Sequence, residues 1–391
     1  MKILYIIGDH IYHSFGGLGS SVKEIIHSLV DKYDDIEIEI ICICNVNEVK
    51  QYDKIKIISI SKNSTLYKST DPIISVLDSV PLSISTALRN IQKPDIIHFQ
   101  DWTSVPLTLA ILDYFDYSIK TVFSLQLSIS MMAEELIKYK EDFFDAKSVE
   151  KETMKYAGAL EQLAILKSNE RIFLNKIDGK KSCIHGKYNV IHHGVDFNYI
   201  NNLNFKKIEL DGDNKIKVLF CGRLDLMKNI LNLLRADIPE YMDLIIMGGF
   251  IGSNPDIFVF MSEVLKSKKN VKYIGFRSGE DKINCMKSAD YGIFPSIYEP
   301  FGLVGLEFLA CGTPLIASFV GGMNEYLTEN CAIKIEDLSS EGISKTLYGL
   351  KDMSEDRKSK MIENGYNVCK KFTWESSADK HYNLYKKLLR E

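Results

Sequence analysis

The feature that most constrains the fold is an alternation of short apolar runs with amphipathic stretches, and it occurs twice along the chain. The first series contains the strand-like runs KILYII (Lys2–Ile7) and IEIEIICIC (Ile36–Cys44), followed by PDIIHFQDW and KTVFSLQL. Stretches such as LGSSVKEIIHSLV lie between them, with apolar residues at helical spacing. Strands that alternate with helices form parallel sheets, so this series predicts a doubly wound α/β domain.

A second series of the same kind begins near Lys217. Its strand-like runs are KVLFCG, DLIIMG, VKYIG, YGIFPS and TPLIAS. Residues 197–216, between the two series, are polar and without periodicity, which is typical of a linker. The 391 residues also exceed the roughly 150 expected per domain. We therefore predict an α/β protein with two Rossmann-like domains, residues 1–196 and 217–372, that face one another across a cleft.

Composition restricts the partners and the compartment. The net charge of −4 provides no global positive field that would attract nucleic acid. The eight cysteines include no CxxC pair, which favours a reducing compartment. The apolar part of the N-terminal run MKILYIIGD is too short for a signal peptide. The longest apolar region, Leu303–Gly322, is not a membrane span because it contains Glu307. We expect a cytoplasmic protein without an integral membrane segment, and the oligomeric state stays open.

Two carboxylates stand in an apolar segment, SIYEPFGLVGLEFLACGTP (Ser296–Pro314). A helix that begins near Pro300 and ends before Gly312 would be apolar on every face except at Glu307, so it would be buried. Glu299 would lie in the loop before this helix. An unpaired buried carboxylate costs several kcal/mol, so both acids need partners.

A ligand would supply those partners. The helix start FGLVG offers free N–H groups and the positive end of the helix dipole, which favour a phosphate. A carboxylate accepts two hydrogen bonds and therefore suits a vicinal diol. A phosphate flanked by diols describes a nucleotide sugar. The structural alternative is that Glu299 caps the helix and that Glu307 pairs with a buried lysine or arginine.

Two cations follow the first strand of the second series, in CGRLDLMKN. Arg223 and Lys228 would lie beyond the carboxyl end of that strand, where ligands bind in such sheets. Together they could neutralise a diphosphate leaving group without a metal. Taken alone, such a pair is also typical of ordinary surface charge.

These segments carry a family resemblance. GRLDLMKN together with PSIYEPFGLVGLEFLACGTPLIAS resembles the signature of retaining nucleotide-sugar glycosyltransferases with the GT-B fold, which include glycogen and starch synthases. The segments FGGLGSSVKE, HFQDW, IHHGVDF and FTWESSADKHYNLYKKLL extend the resemblance over most of the chain. It implies that a C-terminal helix, residues 373–391, crosses back to the first domain.

The resemblance also implies roles for individual residues. Arg223 and Lys228 would hold the donor diphosphate, Glu299 the transferred sugar and Glu307 the ribose. Asp101 would line the sugar site. The main-chain contacts to the donor would come from Gly302, Leu303 and Val304 in the second domain and from a closing loop at Gly16 and Gly17 in the first.

Four further residues are candidates for ligand contact. Phe276 and Arg277, in a turn after the strand VKYIG, are candidates for binding the nucleobase. Gln126 and His193 are candidates for the acceptor or sugar site. Adjacent histidines in a strand face opposite ways, so His192 and His193 make a poor metal chelate, and Asp211–Asp213 is more typical of a turn. We expect no metal and no cofactor.

The sequence departs from the family pattern at three positions. Ser14 replaces a lysine that precedes the paired glycines in glycogen synthases, which argues against ADP-glucose and a glucan product. Gln100 and Gln126 stand where histidines are expected. Glutamine can hydrogen-bond a sugar hydroxyl but cannot titrate. In this family the leaving phosphate itself is pictured as assisting the transfer, so loss of an imidazole need not abolish activity.

The functional hypothesis is a metal-independent retaining glycosyltransferase that moves a hexosyl unit from a nucleotide-diphosphate sugar to a hydroxyl-bearing acceptor. A catalytically silent sugar-nucleotide-binding protein is one alternative, which Ser14 and Gln126 favour. A nucleotide-sugar epimerase of the same fold is another. An NAD-dependent oxidoreductase is disfavoured because Val22 replaces the third fingerprint glycine and the strand IEIEIICICN ends in Asn45 rather than an acid. The nucleobase, the sugar and the acceptor stay open.

Overall fold

The computed structural model divides the chain into two compact units. It describes residues 1–12, 17–44, 46–61, 83–138, 148–183, 186–210, 216–250 and 255–391. The first unit comprises Met1–His193 and Trp374–Glu391, and the second comprises Gly194–Thr373. Ser14, Gly16, Asn45 and Asp211–Asp213 lie outside the described residues.

The first unit contains an eight-stranded sheet in the order β3-β4-β2-β1-β5-β6-β7-β8. The strands are β1 (Lys2–Ile7), β2 (Glu37–Cys44), β3 (Glu48–Tyr52), β4 (Ile55–Ser61), β5 (Ile96–Gln100), β6 (Lys120–Leu125), β7 (Glu170–Phe173) and β8 (Asn189–Val190). The helices between them are α1 (Gly17–Lys32), α2 (Asp101–Tyr114), α3 (Ile129–Lys138), α4 (Ser148–Lys167) and α5 (Lys176–Ser182), and residues 83–90 are also helical. All neighbours pair in parallel except β3 and β4, an antiparallel edge pair that the sequence patterns did not predict.

The second unit contains a six-stranded, fully parallel sheet in the order β11-β10-β9-β12-β13-β14. The strands are β9 (Ile216–Cys221), β10 (Met242–Met247), β11 (Val271–Gly275), β12 (Tyr291–Phe294), β13 (Leu315–Ala317) and β14 (Ala332–Lys334). The helices are α6 (Phe197–Asn202), α7 (Ile230–Arg235), α8 (Pro255–Ser267), α9 (Gly279–Ser288), α10 (Leu303–Ala310), α11 (Ser340–Tyr348) and α12 (Glu355–Cys369), with 3₁₀ turns at Leu226–Lys228, Gly321–Glu325 and Gly349–Asp352. Each strand predicted in this unit is present, with ends that differ from the predicted ones by at most two residues.

The strand order fixes where a ligand can bind in each sheet. In the second sheet the order reverses between β9 and β12, and in the first it reverses between β1 and β5. The crevice beyond the carboxyl ends of two such strands is the usual ligand site of an open parallel sheet. The segments that follow β9, β12 and β5 are those that the sequence motifs singled out.

The polar segment before β9 is attached to the second unit. It includes α6, whose Asn201 Nδ2 donates to the carbonyl of Ala310, 3.3 Å away. Farther along, the N–H of Lys206 donates to Asn284 Oδ1 at 3.1 Å, and the N–H of Ile208 donates to Ser288 Oγ at 2.9 Å. These bonds run from a segment without apolar periodicity to the last residue of α10 and to two side chains on α9, so sequence periodicity does not predict them.

The C-terminal helix, α13 (Trp374–Leu388), packs on the first unit. Its Tyr385 hydroxyl lies 2.6 Å from the Tyr5 hydroxyl and 2.6 Å from His98 Nδ1, and all three side chains are buried. Near its middle, Tyr382 stacks on Tyr33, the residue that follows α1, with ring centroids 3.6 Å apart. No helix in the described parts of the chain is both long and apolar enough to cross a bilayer.

Candidate functional site

The carboxylate of Glu299 is buried, with 5% of the residue exposed, in the loop between β12 and α10. Ser296 Oγ donates to its Oε1 at 2.9 Å, and Lys228 Nζ forms an ion pair with the same oxygen. Among the described residues, the contacts to this carboxylate all fall on Oε1. Oε2 is therefore left as the acceptor for a bound ligand.

Two glycines hold the backbone of Glu299 in place. The N–H of Gly322 donates to the Glu299 carbonyl at 2.8 Å. A Cβ on Gly321 would stand 2.0 Å from that same carbonyl oxygen, and Gly321 has φ of 52°, which L side chains rarely adopt. Only glycines allow this close approach, so the GG pair of the motif fixes the position from which Glu299 projects.

Helix α10 begins at Leu303, so the prediction of a start near Pro300 was wrong. The reason is Gly302, whose left-handed φ of 87° separates the loop from the helix. The Tyr326 hydroxyl donates to the Gly302 carbonyl at 2.7 Å and fixes this turn. Leu303 and Val304 thus form the first turn of α10, where the backbone N–H groups have no helical acceptors. Glu307 lies just over one turn into the helix rather than two.

Glu307 is paired with a lysine that the sequence did not single out. Lys282 Nζ, on α9, lies 2.6 Å from Glu307 Oε1 and 2.5 Å from Oε2. The two side chains are 21% and 24% exposed, respectively. The structural alternative for Glu307 is therefore realised in part, because a cation does pair with it. Lys282 lies 25 residues away in a different helix, and nothing in its local sequence distinguishes it from Lys287.

The turn after β9 presents the two predicted cations. Asp225 caps the 3₁₀ turn by accepting the N–H of Lys228 at 3.0 Å. Lys228 Nζ also lies over the ring of Phe294, 5.1 Å from its centroid, in addition to pairing with Glu299. Arg223 Nε lies 3.2 Å from Asp225 Oδ2, with 40% of the Arg223 side chain exposed. The structure thus brings Lys228 to Glu299, while Arg223 lies beside Asp225 of the same turn with its side chain partly exposed.

The two nucleobase candidates follow β11, near the edge of this sheet. Phe276 is 46% exposed, and a Cβ on Gly249 would contact its ring at 3.8 Å. Arg277 Nη1 donates to the carbonyl of Phe276 at 3.0 Å. An exposed ring and a guanidinium at the carboxyl edge of the sheet are suited to stacking and hydrogen bonding, and their part in base binding stays a prediction.

In the first unit, Asp101 supports a turn after β6. Its Oδ1 accepts the N–H groups of Gln126 and Leu127 at 2.6 and 3.2 Å. Asp101 also has a left-handed φ of 54°, an uncommon conformation for a residue other than glycine. Burial raises the pKa of the Asp101 carboxyl to about 7, although the two N–H groups oppose that shift. Asp101 therefore sets the position of Gln126, in addition to any direct contact with a sugar.

Gln126 is the first member of a buried polar chain. Its Nε2 donates to Gln100 Oε1 at 2.8 Å, and Gln100 Nε2 lies 3.1 Å from His98 Nε2. Gln126 Oε1 is buried and has no hydrogen-bond partner among the described residues. An acceptor in that position matches the predicted contact with a sugar hydroxyl.

His193 is less accessible than expected of a residue lining a ligand site. It is 6% exposed, and its ring lies 5.6 Å from that of Trp374. Burial, followed by the neighbouring His381 and His192, lowers the pKa of His193 to about 3, so its imidazole is neutral. Gly17 begins α1 with open space around it, since a Cβ there would meet nothing within 4 Å.

A second buried acid near Gln126 was missed by sequence reasoning. Glu161, on α4, is 1% exposed, and its Oε1 accepts the N–H of Ile129 at 2.8 Å. Burial raises the pKa of Glu161 to about 8. Asp101 and Glu161 therefore hold the backbone on both sides of the turn that carries Gln126. No group of three or more His, Cys, Asp or Glu side chains that could hold a metal ion occurs within the described ranges.

Several known proteins are similar to this chain in sequence or in fold. Residues 201–368 match the family model "Glycosyl transferases group 1". An uncharacterised glycosyltransferase of Methanocaldococcus jannaschii is 23% identical over 99% of this chain and 98% of its own length. Among solved structures, sucrose-phosphate synthase from Thermosynechococcus elongatus superposes over the whole of both chains with a TM-score of 0.80 and 19% identity. HepE of Anabaena, in complex with UDP-glucose, superposes over 99% of this chain and 100% of its own with a TM-score of 0.71 and 16% identity.

The solved structures share the fold, two Rossmann-like domains of the GT-B type. The family match covers the segments that carry Arg223, Lys228, Glu299 and Glu307. The solved structures confirm the predicted fold, and the family match agrees with the resemblance that the motifs carry, while the roles of these four residues stay predictions. The chain therefore has the GT-B fold, and its residues 201–368 are similar to group 1 glycosyltransferases.

Proposed function

We propose that this enzyme moves a hexosyl unit from a nucleoside-diphosphate sugar to a hydroxyl acceptor, with retention of configuration and without a metal. One observation carries the proposal: Lys228 pairs with Glu299 in the loop that leads into α10, at the point where the second sheet reverses its strand order. These elements provide a cation, an acid and free N–H groups in one place.

The diphosphate would bind between the cations and the helix start. The chemistry breaks the bond between the sugar and the diphosphate, so negative charge develops on the leaving phosphate. Lys228 and Arg223 stabilise that charge, and the N–H groups of Leu303 and Val304 add the positive end of the α10 dipole. Arg223 already stands beside Asp225 with an exposed guanidinium, so it can reach a phosphate at little cost in desolvation.

The sugar would bind to Glu299. Because Lys228 and Ser296 both engage Oε1, Oε2 is available to accept a hydroxyl of the transferred hexose. The ion pair with Lys228 provides the buried carboxylate with a cation partner, and a carboxylate acceptor forms stronger hydrogen bonds than a neutral one. Glu307 would accept hydroxyls of the donor ribose in the same way.

The first unit would bind the acceptor. Gln126 Oε1 would accept a sugar hydroxyl, with Asp101 and Glu161 fixing its turn. Neither Gln126 nor the neutral His193 is suited to act as a general base at neutral pH. The acceptor proton would therefore go to the departing phosphate oxygen, which also explains how the product retains the anomeric configuration of the donor.

The donor is tested with a thermal-shift panel of ADP-, UDP- and GDP-glucose, followed by product analysis with the donor that stabilises the protein most. UDP-glucose belongs in the panel because the similar HepE was solved with it. We expect slow hydrolysis of the bound donor even without acceptor, with NMR showing retention at the anomeric carbon. A protein that binds a donor and never turns it over would refute the catalytic proposal.

Arg223→Ala tests the leaving-group role. We expect the turnover rate to fall roughly 100- to 1000-fold, the scale for removing one preorganised charge stabiliser. Arg357→Ala is the matched control, because Arg357 is an exposed arginine of the same unit in the first turn of α12. If Arg223→Ala and Arg357→Ala were equally active, Arg223 would have no part in the reaction.

A further inference from the structure

We propose that Lys282 is a positioning residue for the nucleoside, which holds the Glu307 carboxylate so that it can bind the ribose hydroxyls of the donor. The inference rests on the proposed function, since it concerns the donor site described above. It assigns a task to a residue that no motif of the sequence indicated.

The geometry of the pair carries the argument. One ammonium contacts both carboxylate oxygens, at 2.6 and 2.5 Å, so rotation of the Glu307 carboxylate is restricted. Each carboxylate oxygen can accept two hydrogen bonds, so this pairing leaves one acceptor position free on each oxygen. Two acceptors on one planar group match the two neighbouring hydroxyls of a ribose.

In the described parts of the chain, the Lys282 ammonium forms hydrogen bonds with Glu307 alone. Its hydrogen bonds both go to Glu307, and its side chain and that of Glu307 are only about one fifth to one quarter exposed. Burial alone would lower the pKa of Lys282, but the charge of Glu307 overcomes this and raises it, so the ammonium persists at any physiological pH. Glu307 therefore meets its ligand as an acceptor that the Lys282 ammonium holds in place.

The same helix provides a contrast. Lys287 also projects from α9, but its Nζ donates to the backbone carbonyl of Ile200, at 2.5 Å, and so ties α6 to α9. One lysine of this helix supports the packing of the unit, and the other supports a carboxylate at the candidate donor site. Removal of Lys287 is therefore a matched control for the loss of one α9 lysine.

The consequence is specific to the ribose hydroxyls. Without Lys282 the Glu307 side chain is free to rotate, and its hydrogen bonds to the ribose no longer come preorganised. A nucleotide without the 2′-hydroxyl makes less use of Glu307, so its affinity should depend less on Lys282. A general loss of positive charge would instead weaken every diphosphate equally.

The experiment measures dissociation constants by calorimetry. The probes are ADP, UDP and GDP, and then the 2′-deoxy form of whichever binds most tightly. For the wild type we expect the ribonucleotide to bind about 10- to 100-fold more tightly than its 2′-deoxy form, the value of one hydrogen bond to a charged group. In Lys282→Met the preference should shrink to about 2-fold, mainly through weaker ribonucleotide binding, and Lys282→Arg should restore most of it.

The controls separate the possible outcomes. Lys287→Met should keep the full preference, and the melting temperature of each variant shows that it is folded. A Lys282→Met protein that keeps the full preference, or that loses affinity for both nucleotides equally, would overturn the role of Lys282 and leave the proposed function standing. A wild-type protein that binds none of the three nucleotides would refute both proposals, and this is visible in the wild-type measurements alone.

Discussion

Gly321→Ala is the change that most directly tests how the site is held together. Gly321 has φ of 52°, and a Cβ added to it would stand 2.0 Å from the carbonyl oxygen of Glu299. Two costs therefore combine, one from the backbone conformation and one from the collision.

The structure sets the size of each cost. The left-handed conformation costs an L-residue with a Cβ roughly 1–2 kcal/mol. Real Cβ contacts essentially never fall below 3.0 Å, so the backbone segments at Gly321 and Glu299 must separate by about 1 Å. The obstacle is the Glu299 carbonyl oxygen, a main-chain atom that cannot rotate away. Overpacking of this kind adds roughly 1–3 kcal/mol. We expect the free energy of unfolding to fall by about 2–5 kcal/mol.

The same displacement should reach the chemistry. The oxygen that must retreat belongs to Glu299, so its carboxylate shifts away from the sugar position. A misplacement of about 1 Å can cost on the order of 100-fold in rate. Gly321→Ala should therefore lose both stability and turnover.

Gly279→Ala is the matched control. Gly279 has φ of 54°, almost the same as Gly321, but a Cβ there would meet nothing within 4 Å. This variant should pay only the conformational cost of roughly 1–2 kcal/mol and keep its rate. Stability is measured by hydrogen exchange of the β12–α10 segment and turnover with the donor found above. If Gly321→Ala were no less stable and no less active than Gly279→Ala, the close approach of Gly321 to Glu299 would contribute nothing to the free energy of unfolding or to turnover.

Two further predictions concern buried charges. Lys228→Met should destabilise the second unit by about 3 kcal/mol, because it leaves the buried Glu299 unpaired. The double variant Lys228→Met/Glu299→Gln should recover at least about 1 kcal/mol of this loss. Losses in the two single variants that simply add in the double variant would show that the two groups are not coupled. Hydrogen exchange is the measurement here, since both tryptophans, Trp102 and Trp374, lie in the first unit and report on that unit alone. Burial raises the pKa of Glu161 from 4.5 to about 8, so its contribution to stability is complete below about pH 4.5 and is lost as the pH rises through 8. The free energy of unfolding of the wild type minus that of Glu161→Gln, measured by tryptophan fluorescence, should therefore fall by a few kcal/mol between pH 5 and 9, at about 1.4 kcal/mol per unit of pKa shift. A difference that does not change with pH would show that Glu161 does not titrate in this range.

The predictions from sequence succeeded where the signal is local. KILYII and VKYIG coincide with β1 and β11 because runs of β-branched residues between turn signals mark buried strands. The predicted start of α10 was three residues too early, because proline suits a first helical turn and the sequence does not show that Gly302 adopts a left-handed conformation. The edge strand β3 was missed because its residues are mostly exposed and polar.

The candidate site divides along the same line. Lys228 and Glu299 were identified from motifs, although they are 71 residues apart and meet only because β9 and β12 are neighbours in the sheet. Lys282 and Glu161 were not identified, since each is one charged residue on a helix whose surroundings the sequence does not reveal. Their partners are set by which helix packs beside which loop.

The sequence by itself determined the alternation of strands and helices and the motif residues. These follow from side-chain periodicity and residue spacing, which act over a few neighbouring residues. Only the tertiary structure decided that Lys282 pairs with Glu307, that Gly321 presses on the carbonyl of Glu299, and that two buried acids support the turn at Gln126. Such contacts depend on strand order and helix packing, in which the free energy is shared among segments that are far apart in the chain.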